Sequence, residues 1–195
     1  MSAIVNGRHS EPPLRVLGID PGTVRTGWGV IERQGPTIKF LAAGVITATG
    51  FHSLPERLRV IYAGIVEVLD RWTPQTLSLE KAFLAYNVQS AFRLGEARGV
   101  ALLAAAQAGL QIAEYNPTEI KTAVAGYGRA DKIQVQKAVF SLLSGSRMPE
   151  TLGLPVSKDA TDALAAAFCH LNTSRLAERI QEAENRGRGL GVRGR

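Results

Sequence analysis

LRVLGIDPGTVRTGWGVIE, residues 14–32, is the stretch that decides the fold. Its first seven residues place apolar side chains at Leu14, Val16, Leu17 and Ile19, a short run that reads as a strand buried on both faces. Pro21-Gly22 ends that strand with a turn dipeptide. Residues 26–32 (TGWGVIE) and 37–47 read as two further strands, linked at Gln34-Gly35-Pro36, and links this short favour an antiparallel meander. Asp20 is left at the end of a buried strand, ahead of a rigid turn. It is either a metal ligand held in place or an Asx-type turn residue.

Beyond residue 50 the periodicity changes. Leu54, Leu58, Ile61, Ile65 and Val68 recur at helical spacing and predict an amphipathic helix. Residues 76–80 (TLSLE) read as a short strand that ends on Glu80, which is either a ligand or an exposed strand-end acid. Residues 88–108 predict a long Ala- and Gly-rich helix, apolar nearly all round from residue 100 and so expected to be central or at a subunit interface. Gly95 and Gly99 on it would let another backbone approach. Residues 111–115 give a fifth strand, and Pro117 can open the following helix without losing a hydrogen bond. Residues 131–144 predict a helix with Val135, Ala138, Val139, Leu142 and Leu143 on one face. The last core helix starts near Ser157, a good N-cap, with Ala160, Leu164, Ala167, Phe168 and Leu171 as its buried stripe. The order predicts an α/β fold with a mixed five-stranded sheet, three antiparallel strands followed by two parallel ones, and helices on both faces. Residues 1–13 read as a disordered lead-in, 14–175 as one folded domain, and 176–195 as a basic Gly/Arg-rich tail that begins helical and ends disordered.

The formal net charge is +6, and a pI near 9.8 suits a polyanionic partner. Cys169 is the only cysteine, so an intrachain disulfide is impossible and a reducing compartment fits. The polar opening MSAIVNGRHSEPP does not read as a signal peptide, and no apolar run approaches the ~20 residues that a membrane helix needs. No His/Cys cluster has zinc spacing. His170 would sit ~16 Å along its helix from Asp159, at ~1.5 Å rise per residue, and reads as a surface residue; His9 and His52 look incidental.

Acids in a basic chain therefore need a reason. Asp159 and Asp162 lie three apart and project to one side of their helix. The helix dipole accounts for Asp159 in the first turn, but it does less for Asp162, beside the apolar stripe, which needs a cation. Oxygen ligands suit Mg²⁺. Two such ions about 3.5–4 Å apart can clamp a scissile phosphate, activate water and stabilise the leaving oxygen. Lys121 and Lys132 are candidate phosphate-side cations, or merely solvated helix charges.

At these residues the chain resembles the RuvC family of bacterial Holliday-junction resolvases. The matching stretches are GIDPGTVRTGWGVI (18–31), LPERL to IYAGI (54–65), LSLEKAFLAYNVQSAFRLGEARGVALLAA (77–105), EYNPTEIKTAVAGYGRADKIQVQ (114–136) and KDATDALAAAFCH (158–170), in the family's order. The resemblance implies a ribonuclease H-like fold, a nuclease domain over 14–175 and a homodimer. It implies Mg²⁺ or Mn²⁺ dependence, with two ions per subunit when DNA is bound, and symmetric nicking of four-way junction DNA. It also implies a bacterial cytoplasmic setting and partnership with the RuvAB branch-migration complex. Asp20, Glu80, Asp159 and Asp162 fall on the family's metal-binding acids, Lys121 and Lys132 on its catalytic basic positions, and Phe83 on an aromatic that approaches unpaired bases. Stacking would serve that role; a buried strand-end aromatic is the other reading of Phe83. The lead-in, the loop over 144–158 and the Gly/Arg-rich terminus depart from the family pattern. Two further functions compete: a non-catalytic junction-binding protein, and a sugar-kinase or actin-like phosphotransferase. The second also carries a GIDPGT-like loop, but it duplicates the fold, and 195 residues hold one copy.

Overall fold

Strands form where the short apolar runs predict them, and helices where the spacing turns to three and four. The computed structural model describes residues 12–51, 53–81, 88–143 and 157–190. In chain order the elements are β1 (Leu14–Asp20), β2 (Arg25–Gln34), β3 (Thr37–Thr47), α1 (Leu54–Trp72), β4 (Thr76–Glu80), α2 (Val88–Gln107), β5 (Gln111–Tyr115), α3 (Pro117–Ala125), α4 (Lys132–Leu143) and α5 (Lys158–Leu190). The strands make one sheet of order β3-β2-β1-β4-β5. The β1–β2 and β2–β3 pairs are antiparallel, and β1–β4 and β4–β5 are parallel. The expected mixed α/β architecture is the observed one.

Alternation along β1 explains how one run serves two cores, because successive side chains point to opposite faces. Leu17 and Ile19 join Leu77 and Leu79 under α1 and α2, packed against Ile61, Ile65, Ala101, Ala104 and Ala105. Val16 joins Ile31 and Phe40 on the other face, beneath α3, α4 and α5. On α4, Val135, Val139 and Leu143 are buried as expected, whereas Leu142 points outward, 43% exposed.

Two sequence expectations meet a different outcome. Of the two places expected for α2, the centre of the molecule or a subunit interface, the centre is taken by α5. From Ala160 to Cys169 every residue of α5 except Asp162 is buried, because the sheet covers one side and α3 and α4 lie against the other. α2 buries Ala101, Ala104 and Ala105 on the sheet but leaves Phe92 and Leu103 to solvent, 70% and 53% exposed. Apolar composition all round cannot separate these two cases. Second, α5 passes residue 175 without a break and continues to Leu190, so its last turns include part of the Gly/Arg-rich segment. The run RLAERIQEAE is made mostly of strong helix formers and extends a helix already nucleated in the core. Arg33 of β2 also anchors it, pairing with Glu178 at 2.6 Å. Residues 1–11 of the lead-in, His52, Phe83, residues 144–156 of the long loop and residues 191–195 lie outside the described residues.

Candidate active site

Register brings the first two acids together. Ile19 pairs with Leu79 across the parallel β1–β4 ladder, so one residue further along sets Asp20 beside Glu80. Leu17, Ile19, Leu77 and Leu79 face α1 and α2; by alternation Gly18, Asp20, Ser78 and Glu80 face α5. Ser78 Oγ accordingly donates to the Ala166 carbonyl at 2.7 Å, tying β4 to that helix.

Glycine allows α5 to come down onto this surface. A Cβ on Gly18 would lie 1.8 Å from the Ala163 carbonyl oxygen, and one on Gly27 2.1 Å from that of Asp159. The first turns of α5 thus rest on bare backbone of β1 and β2. Ser157 caps the helix, its Oγ accepting from the Ala160 N–H at 3.2 Å. These contacts set Asp159 and Asp162 over the end of the sheet that carries Asp20 and Glu80.

A cleft of about 320 Å³ opens there. Its charged lining is Asp20, Glu80, Asp162, Lys121 and Lys132, with Ile120 and Val135 supplying apolar wall. Asp159 is not part of that lining; its Oδ2 accepts from Arg25 Nε at 2.7 Å. A wider groove of about 580 Å³ lies between α1 and the β2–β3 hairpin, walled by Trp28 and Trp72, but its one acid is Glu67. Of the two, the smaller cleft gathers several acids with basic partners.

The electrostatics follow from crowding. Asp20 is raised to about 7, first by burial and then by the charges of Asp162 and Asp159, against the opposing pull of Lys132. Glu80 is raised by burial and by Asp162, with Lys121 and Lys132 pulling it back. Lys132 donates to Asp162 at 2.6 Å and is held above the ordinary lysine range by that bond. Ionised acids forced together and partly desolvated ask for more positive charge than two lysines supply.

A divalent ion suits that demand by donor chemistry, since every available ligand is a carboxylate oxygen. Among the described residues, however, no three His, Cys, Asp or Glu side chains already converge as a metal cage. The ion pairs give the reason: Asp162 is turned to the Lys132 ammonium and Asp159 to the Arg25 guanidinium.

Residues 16–170 match the family model described as "Crossover junction endodeoxyribonuclease RuvC". The chain belongs to the RuvC family. The chain is 45% identical to the protein of that name from Chloroflexus aggregans over 86% of its own length and 98% of the relative's. The corresponding protein of Hahella chejuensis is 44% identical over 90% of this chain and 98% of the relative. Among solved structures, T. thermophilus RuvC in complex with a Holliday junction substrate superposes with a TM-score of 0.74 at 32% identity, covering 84% of this chain and 96% of that one. A fowlpox virus Holliday junction resolvase, at 12% identity and a TM-score of 0.52, shares the fold.

Sequence reasoning missed two arginines beside these acids. Arg98 of α2 is nearly buried, donates to the Glu80 carbonyl and pairs with Glu114 at 2.6 Å, so it fixes the end of β4 from below. Arg25 was hidden among surface charges. His170 corrects the surface reading: it is half-buried, with Nδ1 2.9 Å from the Tyr115 hydroxyl, and burial lowers its pKa. No helix among the described residues is long and apolar enough to cross a membrane.

Proposed function

We propose that this chain is a structure-selective endonuclease that resolves four-way DNA junctions by paired, metal-dependent phosphodiester hydrolysis. The observation that carries the reading is the convergence of Asp20, Glu80, Asp162, Lys121 and Lys132 on one cleft in a chain of the RuvC family. Asp20, Glu80, Asp159 and Asp162 are the proposed holders of Mg²⁺ or Mn²⁺, with two ions per subunit once DNA is bound. Such an ion supplies Lewis acidity toward the phosphate and a nucleophilic water at neutral pH. The protein's own groups do the rest. The strand ends keep Asp20 and Glu80 rigid, and the capped first turns of α5 deliver the other two acids from above. Lys121 and Lys132, standing on α3 and α4, bring positive charge to the same cleft where a phosphate would gain charge. Phe83 is proposed to contact bases near the crossover.

A junction with two opposed scissile strands calls for two sites related by a two-fold axis. The exposed stripe of α2 is the proposed contact: Val88 and Phe92 are 67% and 70% exposed, and no described residue within 4 Å would meet a Cβ on Gly95 or Gly99. Phe92→Asp is expected to give a monomer in analytical ultracentrifugation and to nick junctions on one strand at a time. A dimer of unchanged strength would move the interface elsewhere. The RuvAB branch-migration complex is the proposed protein partner, and the bacterial cytoplasm the proposed compartment.

The deciding assay is a synthetic four-way junction with Mg²⁺ or Mn²⁺, alongside a linear duplex of the same sequence. Symmetric paired nicks in the junction are expected. Binding without cleavage in both metals would favour a junction-binding module, and equal cutting of the duplex would remove the structure selectivity. Lys132→Ala is expected to lower the single-turnover cleavage rate by about 100-fold, the size seen when one preorganised charge-stabilising donor is lost. Junction affinity should fall much less; a loss of affinity parallel to the loss of rate would reassign Lys132 to backbone contact.

A further inference from the structure

The Arg25–Asp159 pair stands at the edge of the acidic site, and the reaction proposed above makes no use of it. Arg25 opens β2 two residues before Gly27 and so shares its face, which is the face α5 covers at Asp159. Its guanidinium reaches the first turn of α5 from the β2 side, while Lys121 and Lys132 flank the acids from α3 and α4. Nε alone engages Asp159, and the Nη groups make no hydrogen bond among the described residues. The two side chains are 50% and 32% exposed, so the pair is weak and easily exchanged.

We propose that Arg25 has two positions. In the metal-free protein it holds the Asp159 carboxylate away from the cleft. Once Asp159 turns to a divalent ion, the released guanidinium binds a phosphate of the junction strand on the β2 side of the site. The planar fork suits a phosphate's paired oxygens better than a lysine ammonium does. Its Nη donors are unengaged among the described residues. Positive charge would then bracket the acids on both sides, where a polyanionic strand must cross a patch of carboxylates. This inference rests on the metal-dependent nuclease reading.

The experiment compares wild type, Arg25→Ala and Arg25→Lys in two ways. Mn²⁺ is titrated into the DNA-free protein and followed by electron paramagnetic resonance, and junction cleavage is timed at saturating Mn²⁺. Arg25→Ala is expected to half-saturate at about threefold lower Mn²⁺, because an exposed competing ion pair is gone. Its single-turnover cleavage is expected to be about tenfold slower, the size of one lost charge-assisted bond to phosphate. Arg25→Lys should titrate like wild type and cleave at an intermediate rate. An unchanged Mn²⁺ half-saturation in Arg25→Ala overturns the holding role, and unchanged cleavage overturns the phosphate role. A wild type that takes up Mn²⁺ but never cuts a junction sinks the nuclease reading and the phosphate role with it, while the titration still decides what Arg25 does to Asp159.

Discussion

Asp162→Asn is expected to bind a four-way junction as well as the wild type does and to cut it about a thousandfold more slowly, the cost of losing ~4 kcal/mol of transition-state stabilisation. Asparagine keeps the size and one oxygen but removes the negative charge that an ion would need. The folding cost should be small. The Lys132 and Asp162 side chains are 63% and 31% exposed, and an ion pair that open to solvent is worth no more than about 1 kcal/mol. Melting curves recorded beside the cleavage kinetics and gel shifts separate the two effects. Rates equal to wild type would take Asp162 out of the site. A loss of rate matched by a collapse in melting temperature would make it structural. The reason to single out Asp162 is its position: it is the one residue of α5 between Ala160 and Cys169 that is not buried, and it opens onto the cleft.

The sheet could be read from residues 14–47 because strand burial leaves a plain trace: an apolar run, a Pro-Gly stop and short links. The pairing of Asp20 with Glu80 could be anticipated from strand ends alone, since parallel neighbours finish at the same edge. The departures share a cause, which is that partners distant in sequence leave no local pattern. Nothing near Arg25 announces a carboxylate 134 residues away, and nothing near Arg98 announces the Glu80 carbonyl. His170 has a surface residue's sequence surroundings but finds Tyr115 through the β5–α5 contact. Which of α2 and α5 takes the centre is settled in the same way. Both are alanine-rich, and only the sheet topology decides which one is covered twice. The close seat of α5 was equally silent, for a glycine in a strand reads locally as a turn or a weak point.

That seat supplies the other large effect. Gly18→Ala is expected to destabilise the fold by about 3 kcal/mol, at the upper end of ordinary overpacking. The melting temperature should fall by roughly 6–12 °C, at 2–4 °C per kcal/mol for a chain of this size. Two effects oppose each other. Alanine restricts the unfolded chain and by itself favours folding by about 0.4–1 kcal/mol. Against this, its Cβ would stand 1.8 Å from the Ala163 carbonyl oxygen, a backbone atom that moves only if α5 lifts. The steric term wins because every residue of the helix from Ala160 to Cys169 except Asp162 is buried, which leaves the backbone at Ala163 little room to move. Lifting α5 would also draw Asp159 and Asp162 away from Asp20 and Glu80, so the surviving folded protein should bind Mn²⁺ more weakly than wild type. Gly50→Ala serves as the control, since no described residue lies within 4 Å of a Cβ there. It should leave both the melting temperature and Mn²⁺ binding unchanged. If Gly18→Ala melts within a degree of Gly50→Ala, α5 does not rest on β1 at Gly18, and the placement of the two helical acids over the strand ends has to be redrawn.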